Sequence, residues 1–133
     1  MPHPLDASPA NPQAVSLQGL RILIVEDNPY IAIALEEMLS EQGLVIVGVA
    51  GALDDALLLA ASASLDIALL DVNIGDRRID PVAEALVARG KPFVFTTGYG
   101  RAGLPEAFLD RPVVEKPFSM EEILASLRRA LSS

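Results

Sequence analysis

The sequence contains no cysteine among its 133 residues. That excludes a disulfide scaffold, a thiolate zinc site and a cysteine nucleophile together, and it is compatible with a reducing cytoplasm. No apolar run approaches the ~20 residues that span a bilayer, so no membrane partner is expected. The N-terminus lacks the basic region and apolar core of a secretory signal. No glycine-rich phosphate loop opens a helix, which argues against a nucleotide site. What is present suits one folded domain: 51% of the residues are apolar, too many for a disordered chain.

Basic residues are scarce in one half of the chain. Residues 1–76 hold eleven acids and one base, Arg21, whereas residues 77–133 hold seven acids and nine bases. The net charge of -8 leaves little scope for nucleic-acid binding through phosphate neutralisation. The split reads either as two differently solvated faces or as a cation site in the acidic half.

Residues 1–19 carry Pro2, Pro4, Pro9 and Pro12 without apolar periodicity, and read as a flexible tail ahead of a domain over 20–133. From there short apolar runs alternate with amphipathic stretches. Ile22–Val25 is a strand. Asn28-Pro29 starts a helix with the stripe Ile31, Ala34, Leu35, Met38 and Leu39, and Gly43 stops it. Leu44–Val49 is a second strand, followed by a helix whose stripe is Leu53, Ala56, Leu57, Ala60 and Ala61. Its first turn holds Asp54 and Asp55, which complement the helix dipole. Ile67–Leu70 is a third strand ending on Asp71. Asp80-Pro81 repeats the cap-plus-proline start, with Ile79, Val82, Ala83, Leu86 and Val87 as the stripe and Gly90 as the stop. Phe93–Thr96 is a fourth strand, and Arg101–Leu109 a poor helix, broken by Gly103 and Pro105, that should be short or mobile. Val113-Val114 is a brief fifth strand. A last helix begins with the capping box Ser119/Glu122 and carries Arg128 and Arg129 in its last turn. Five alternations of strand and helix predict an α/β, (βα)5 fold with a doubly wound, five-stranded parallel sheet.

Ligands of such sheets bind at the carboxyl ends of the strands. Those ends carry Glu26 and Asp27, then Asp71, Thr97 and Lys116. Each alone reads as ordinary loop solvation, and Asp27 as a helix-capping neighbour of Asn28. Together they bring three carboxylates, a hydroxyl and an ammonium to one edge. Three close carboxylates call for a hard divalent cation such as magnesium. A lysine and a hydroxyl suit phosphoryl oxygens. The chemistry that fits is attack by a carboxylate on phosphorus.

From Leu20 to Leu131 the pattern Glu26-Asp27, Asp71, Thr97-Gly98 and Lys116-Pro117-Phe118 resembles the response-regulator receiver domains of two-component signalling, which have the flavodoxin-like strand order 2-1-3-4-5. The resemblance implies that Asp71 is the phosphoacceptor, serving a histidine kinase or histidine phosphotransfer protein. It implies Mg2+ (or Mn2+) on Asp27, Asp71 and the backbone carbonyl of Asn73, with Glu26 holding a metal-bound water. Thr97 and Lys116 would meet the phosphoryl group, and the Lys116-Pro117 bond would be cis. Pro92–Gly100 (PFVFTTGYG) is similar to the FAT GUY subgroup of stand-alone bacterial receivers, with Thr96 in place of the usual alanine. The resemblance makes the face of the fourth helix, fifth strand and fifth helix a docking or dimerisation surface for a downstream protein; Arg101, Arg111, Arg128 and Arg129 read either as steering an acidic partner to it or as ordinary solvation.

Two departures accompany the match. Val113 occupies the place of the usual switch aromatic, and Gly75 the place of a common proline. The expectation is that Gly98, Tyr99 and the segment to Gly103 carry the conformational response. Competing readings are a phosphorylation-independent adaptor on the same fold and an aspartate-nucleophile phosphatase. The phosphatase ordinarily needs a second Asp where Asn73 stands, and an amide does not shuttle protons. The protein is therefore expected to be a cytoplasmic signalling protein with no output module, not an enzyme.

Overall fold

The computed structural model describes residues 15–98 and 103–132. Five strands, β1 (Arg21–Val25), β2 (Val45–Ala50), β3 (Ile67–Asp71), β4 (Phe93–Thr97) and β5 (Val113–Glu115), alternate with α1 (Pro29–Glu41), α2 (Leu53–Ser62), α3 (Asp80–Ala88) and α4 (Met120–Ser132). The sheet is parallel throughout, in the order β2-β1-β3-β4-β5. This is the predicted doubly wound α/β sheet.

Two cores sit on opposite faces of it. Leu23, Val25, Ala68, Leu70, Phe93 and Phe95 point to the side covered by α2 and α3. Ile22, Ile24, Ile67, Leu69 and Val94 point to the side covered by α1 and α4. The period-two alternation sends successive apolar residues to different cores, which is why these strands carry no polar face.

Local signals in the sequence account for the starts of α1 and α4. Asn28 Oδ1 accepts from the backbone N–H groups of Tyr30 (2.9 Å) and Ile31 (3.3 Å), satisfying two donors at the head of α1. Ser119 and Glu122 form the reciprocal capping box, at 3.0 and 3.2 Å. Asp80 does not cap α3. Ile79 is the flanking residue and already has helical backbone angles, while the Asp80 carboxylate pairs with Arg78 at 3.2 Å. Ile79 is buried and its N–H is fixed to Val72 O, so the helix starts from that anchor.

Three other details differ from the sequence expectation. Ala61 is exposed and Val87 is 45% exposed, so the buried stripes of α2 and α3 are narrower than the periodicity suggests. Among the described residues of 101–109, Glu106–Phe108 forms a 3-10 turn in place of a regular helix. Leu104 and Phe108 nevertheless bury against Phe93 and Phe95, with the Phe108 ring 5.7 Å from that of Phe93. Within the stretch read as a tail, residues 1–14 lie outside the described residues. Leu17 is 5% exposed in the α1/α4 core, and Gly19 N–H donates to Gly43 O at 2.7 Å. Burial of Leu17 draws this end of the stretch onto the domain.

Candidate functional site

Backbone pairing continues past the strand ends and sets the site. Glu26 N–H donates to Ala50 O at 3.0 Å, one residue beyond β1, and Lys116 N–H donates to Thr97 O at 2.8 Å, one residue beyond β5. Asp71 and Thr97 are the last residues of β3 and β4. Glu26, Asp71 and Thr97 are buried, Lys116 is half-buried and Asp27 is exposed. The edge therefore has a dry floor and one open side.

Each carboxylate is held by a named donor. Glu26 Oε2 accepts from Asn28 N–H at 3.1 Å, so one asparagine both caps α1 and orients Glu26. Asp71 Oδ1 accepts from Asn73 N–H at 3.2 Å, and Asp71 Oδ2 from Lys116 Nζ at 2.9 Å. Asp27 Oδ2 accepts from Gly75 N–H at 2.8 Å. Lys116 Nζ also lies 2.8 Å from Glu26 Oε1 as an ion pair. The Lys116–Pro117 bond is cis.

Charge is not balanced here. One oxygen from each of Glu26, Asp27 and Asp71 lies within 4.8 Å of the other two, and one ammonium faces them. Burial pushes the Glu26 carboxyl above its ordinary pKa, against the pull of Lys116 and Asn28 N–H, and the Asp71 charge adds to the rise. Burial works to lower the Lys116 ammonium, yet its contacts with Glu26 and Asp71 outweigh that and leave it raised. The donor set is all carboxylate oxygen, with Glu26 and Asp71 buried and Asp27 exposed. It fits a hard divalent cation of the Mg2+ kind, which takes a few carboxylates and keeps water in its other positions.

A family model, the response regulator receiver domain, matches residues 22–128. The chain belongs to the response-regulator receiver family. Among curated relatives, this receiver is 34% identical over 116 residues to the transcriptional regulatory protein PdtaR of Mycobacterium tuberculosis, covering 84% of the chain and 57% of PdtaR. It is 32% identical over 119 residues to the phyllosphere-induced regulator PhyR of Methylorubrum extorquens, covering 83% of the chain and 43% of PhyR. The receiver thus spans about half the length of the curated relatives it matches. Among solved structures it superposes on SdrG from Sphingomonas melonis Fr1 with a TM-score of 0.76 and 42% identity, over 90% of this chain and 99% of that one. A BeF3-activated conformation of SdrG from Pseudomonas melonis Fr1 gives a TM-score of 0.71 at 41% identity, over 85% and 98%.

The receiver's fold brings Glu26, Asp27, Asp71, Thr97 and Lys116 to one edge, with Asn73 joined to Asp71 through its N–H. Gly98 is exposed just past β4, and Tyr99 lies outside the described residues. Val113 is half-buried against the α2/α3 core. Sequence reasoning missed the role of Gly75, whose N–H holds Asp27. Asn73–Ile74 pairs antiparallel with Arg77–Arg78 around a Gly75-Asp76 turn, with Gly75 at φ +61°. The signal was legible: glycine at the first central position of a two-residue loop marks a hairpin.

Proposed function

We propose that this receiver is a response regulator that accepts a phosphoryl group on Asp71 and signals by protein–protein contact. The observation that carries the reading is the setting of Asp71. Its two oxygens face Lys116 Nζ and Asn73 N–H, and Glu26 and Asp27 stand within 4.8 Å. An Asp71 oxygen attacks the phosphorus of a phosphohistidine on a histidine kinase or histidine phosphotransfer protein. The new P–O bond forms as the P–N bond breaks, and the imidazole leaves and takes up a proton.

Asp27, Asp71 and the backbone carbonyl of Asn73 would hold Mg2+ (or Mn2+), with Glu26 reaching it through water. The cation, when bound, neutralises phosphoryl oxygens. Lys116 gives up part of its pairing with Asp71 to meet the phosphoryl group, and the Thr97 hydroxyl hydrogen-bonds it. Gly98 and Tyr99 control access and respond to the modification. In this reading it is a cytoplasmic signalling protein that is modified once per signal, rather than an enzyme with turnover on a small substrate.

A protein donor is favoured by the surface beside the site. Tyr30, Ile31, Ala34 and Met38 of α1, with Pro117 and Phe118, line an apolar groove of about 320 Å3 that reaches Lys116, and Tyr30 is 83% exposed. On another side, Val113, Glu115, Glu122 and Arg129 line a groove between β5 and α4 that suits a downstream target. Incubation of the full chain with acetyl phosphate and Mg2+, followed by intact mass, tests the reading. A gain of one phosphoryl group that Asp71→Asn abolishes is expected. No gain in the unaltered protein would favour the phosphorylation-independent adaptor.

A further inference from the structure

Asp71 and Thr97 end neighbouring strands, and the chain continues from them into different elements. After β3 it forms the ribbon Asn73–Ile74/Arg77–Arg78 and enters α3, and after β4 it reaches Gly103 and the 3-10 turn. Arg78 joins the two exits. Its Nη2 donates to Gly103 O at 3.2 Å, while its Nε donates to Asp80 Oδ1, also at 3.2 Å, at the head of α3. Its backbone pairs with Asn73, whose N–H is bound to Asp71 Oδ1. The path from the Asp71 carboxylate to the Gly103 carbonyl thus runs through one hydrogen bond, one ribbon pair and one guanidinium.

Under that path the packing is continuous. Ile74 and Ile79 from the first exit share a core cluster with Leu104 and Phe108 from the second. A guanidinium suits the junction because its planar fork holds two acceptors in fixed directions, which a lysine ammonium does not. Arg77, next to it in the ribbon, faces elsewhere. Its Nη1 lies 3.5 Å from Asp54 Oδ1 in an exposed pair. The two neighbouring arginines therefore separate the effect of charge near the site from the effect of the tie itself.

We propose that Arg78 is a positioning residue that ties the loop following Asp71 to the segment leaving β4, so that modification of Asp71 is read out over Gly103–Leu109. The inference rests on the reading of Asp71 as phosphoacceptor. Phosphorylation of an Asp71 oxygen, which turns the carboxylate into an acyl phosphate, changes the acceptor that Asn73 N–H faces. The ribbon adjusts, and Arg78 carries the adjustment to Gly103 O and to the turn that buries Leu104 and Phe108.

The test uses the 15N-labelled full chain with Mg2+ and acetyl phosphate, read by intact mass and by amide NMR shifts. Unaltered protein, Arg77→Gln and Arg78→Gln should all gain one phosphoryl group. Phosphorylation-linked shifts over Gly103–Leu109 should persist in Arg77→Gln, fall by about half or more in Arg78→Gln, and be intermediate in Arg78→Lys. Shifts at Asn73 and Ile74 should persist in all of them. Full shifts over Gly103–Leu109 in phosphorylated Arg78→Gln would overturn the tie while leaving the phosphoacceptor reading intact. Should Arg78→Gln not fold, full shifts in Arg78→Lys would overturn it equally. No mass gain in the unaltered protein would instead overturn the phosphoacceptor reading and the tie with it.

Discussion

Replacing Asp66 by asparagine isolates one charge at the edge of the sheet opposite the acidic cluster. Asp66 sits just ahead of β3, and its carboxylate binds Arg21 at the start of β1. It accepts from Nη2 at 2.8 Å, Nε at 3.1 Å and the backbone N–H at 2.9 Å. The bidentate Arg21 fork and the backbone donor lower the Asp66 carboxyl from 3.8 to about 2. Fully expressed, that shift is worth about 2.4 kcal/mol at neutral pH. The two side chains are 43% and 30% exposed, so solvent screening reduces the expected value to about 1 kcal/mol. Because the folded pKa is depressed, the contribution is complete above 3.8 and is lost as pH falls towards 2. About half should be gone near pH 3. Urea unfolding of the unaltered protein and Asp66→Asn at neutral pH and near pH 3 measures both values. An Asp66→Asn penalty that stays the same size at the two pH values would refute the ionic account and leave only a shape effect.

Lys116→Met should destabilise the protein by about 3 kcal/mol, since Glu26 and Asp71 are buried and would lose the ammonium that faces them. Thermal unfolding with and without Mg2+ checks this, with the cation expected to recover part of the loss. An unchanged midpoint would show that the two carboxylates do not depend on Lys116. Ser119→Ala removes one arm of the α4 capping box and should cost about 1 kcal/mol in denaturant unfolding. The cost should shrink when Glu122→Gln is already present if the two bonds act as a unit.

The helix starts at Asn28 and Ser119 were legible because capping is local: donor and acceptor lie within three residues of each other. Asp80 looked like the same signal and was not, because the buried Ile79 anchors α3 from outside the helix. The 3-10 turn at Glu106–Phe108 was half visible. Gly103 and Pro105 showed that a regular helix would fail there, but nothing local showed that Leu104 and Phe108 would fill a gap beside Phe93 and Phe95. The end of the Pro-rich stretch was unreadable for a related reason, since Leu17 joins an apolar cluster whose members are spread as far along the chain as Leu127.

The sequence by itself determined the five strands, the four regular helices and the residues that follow each strand, because strand and helix periodicity are set by near neighbours. It also placed Glu26, Asp27, Asp71, Thr97 and Lys116 at one edge, since in a parallel sheet every strand's carboxyl end faces the same way. Only the tertiary structure decided how those groups pair. Lys116 lies between Glu26 and Asp71, Gly75 N–H holds Asp27, and Arg78 reaches Gly103. These contacts join residues from separate loops, and their distances depend on how the strands and helices pack, a quantity that no local pattern encodes.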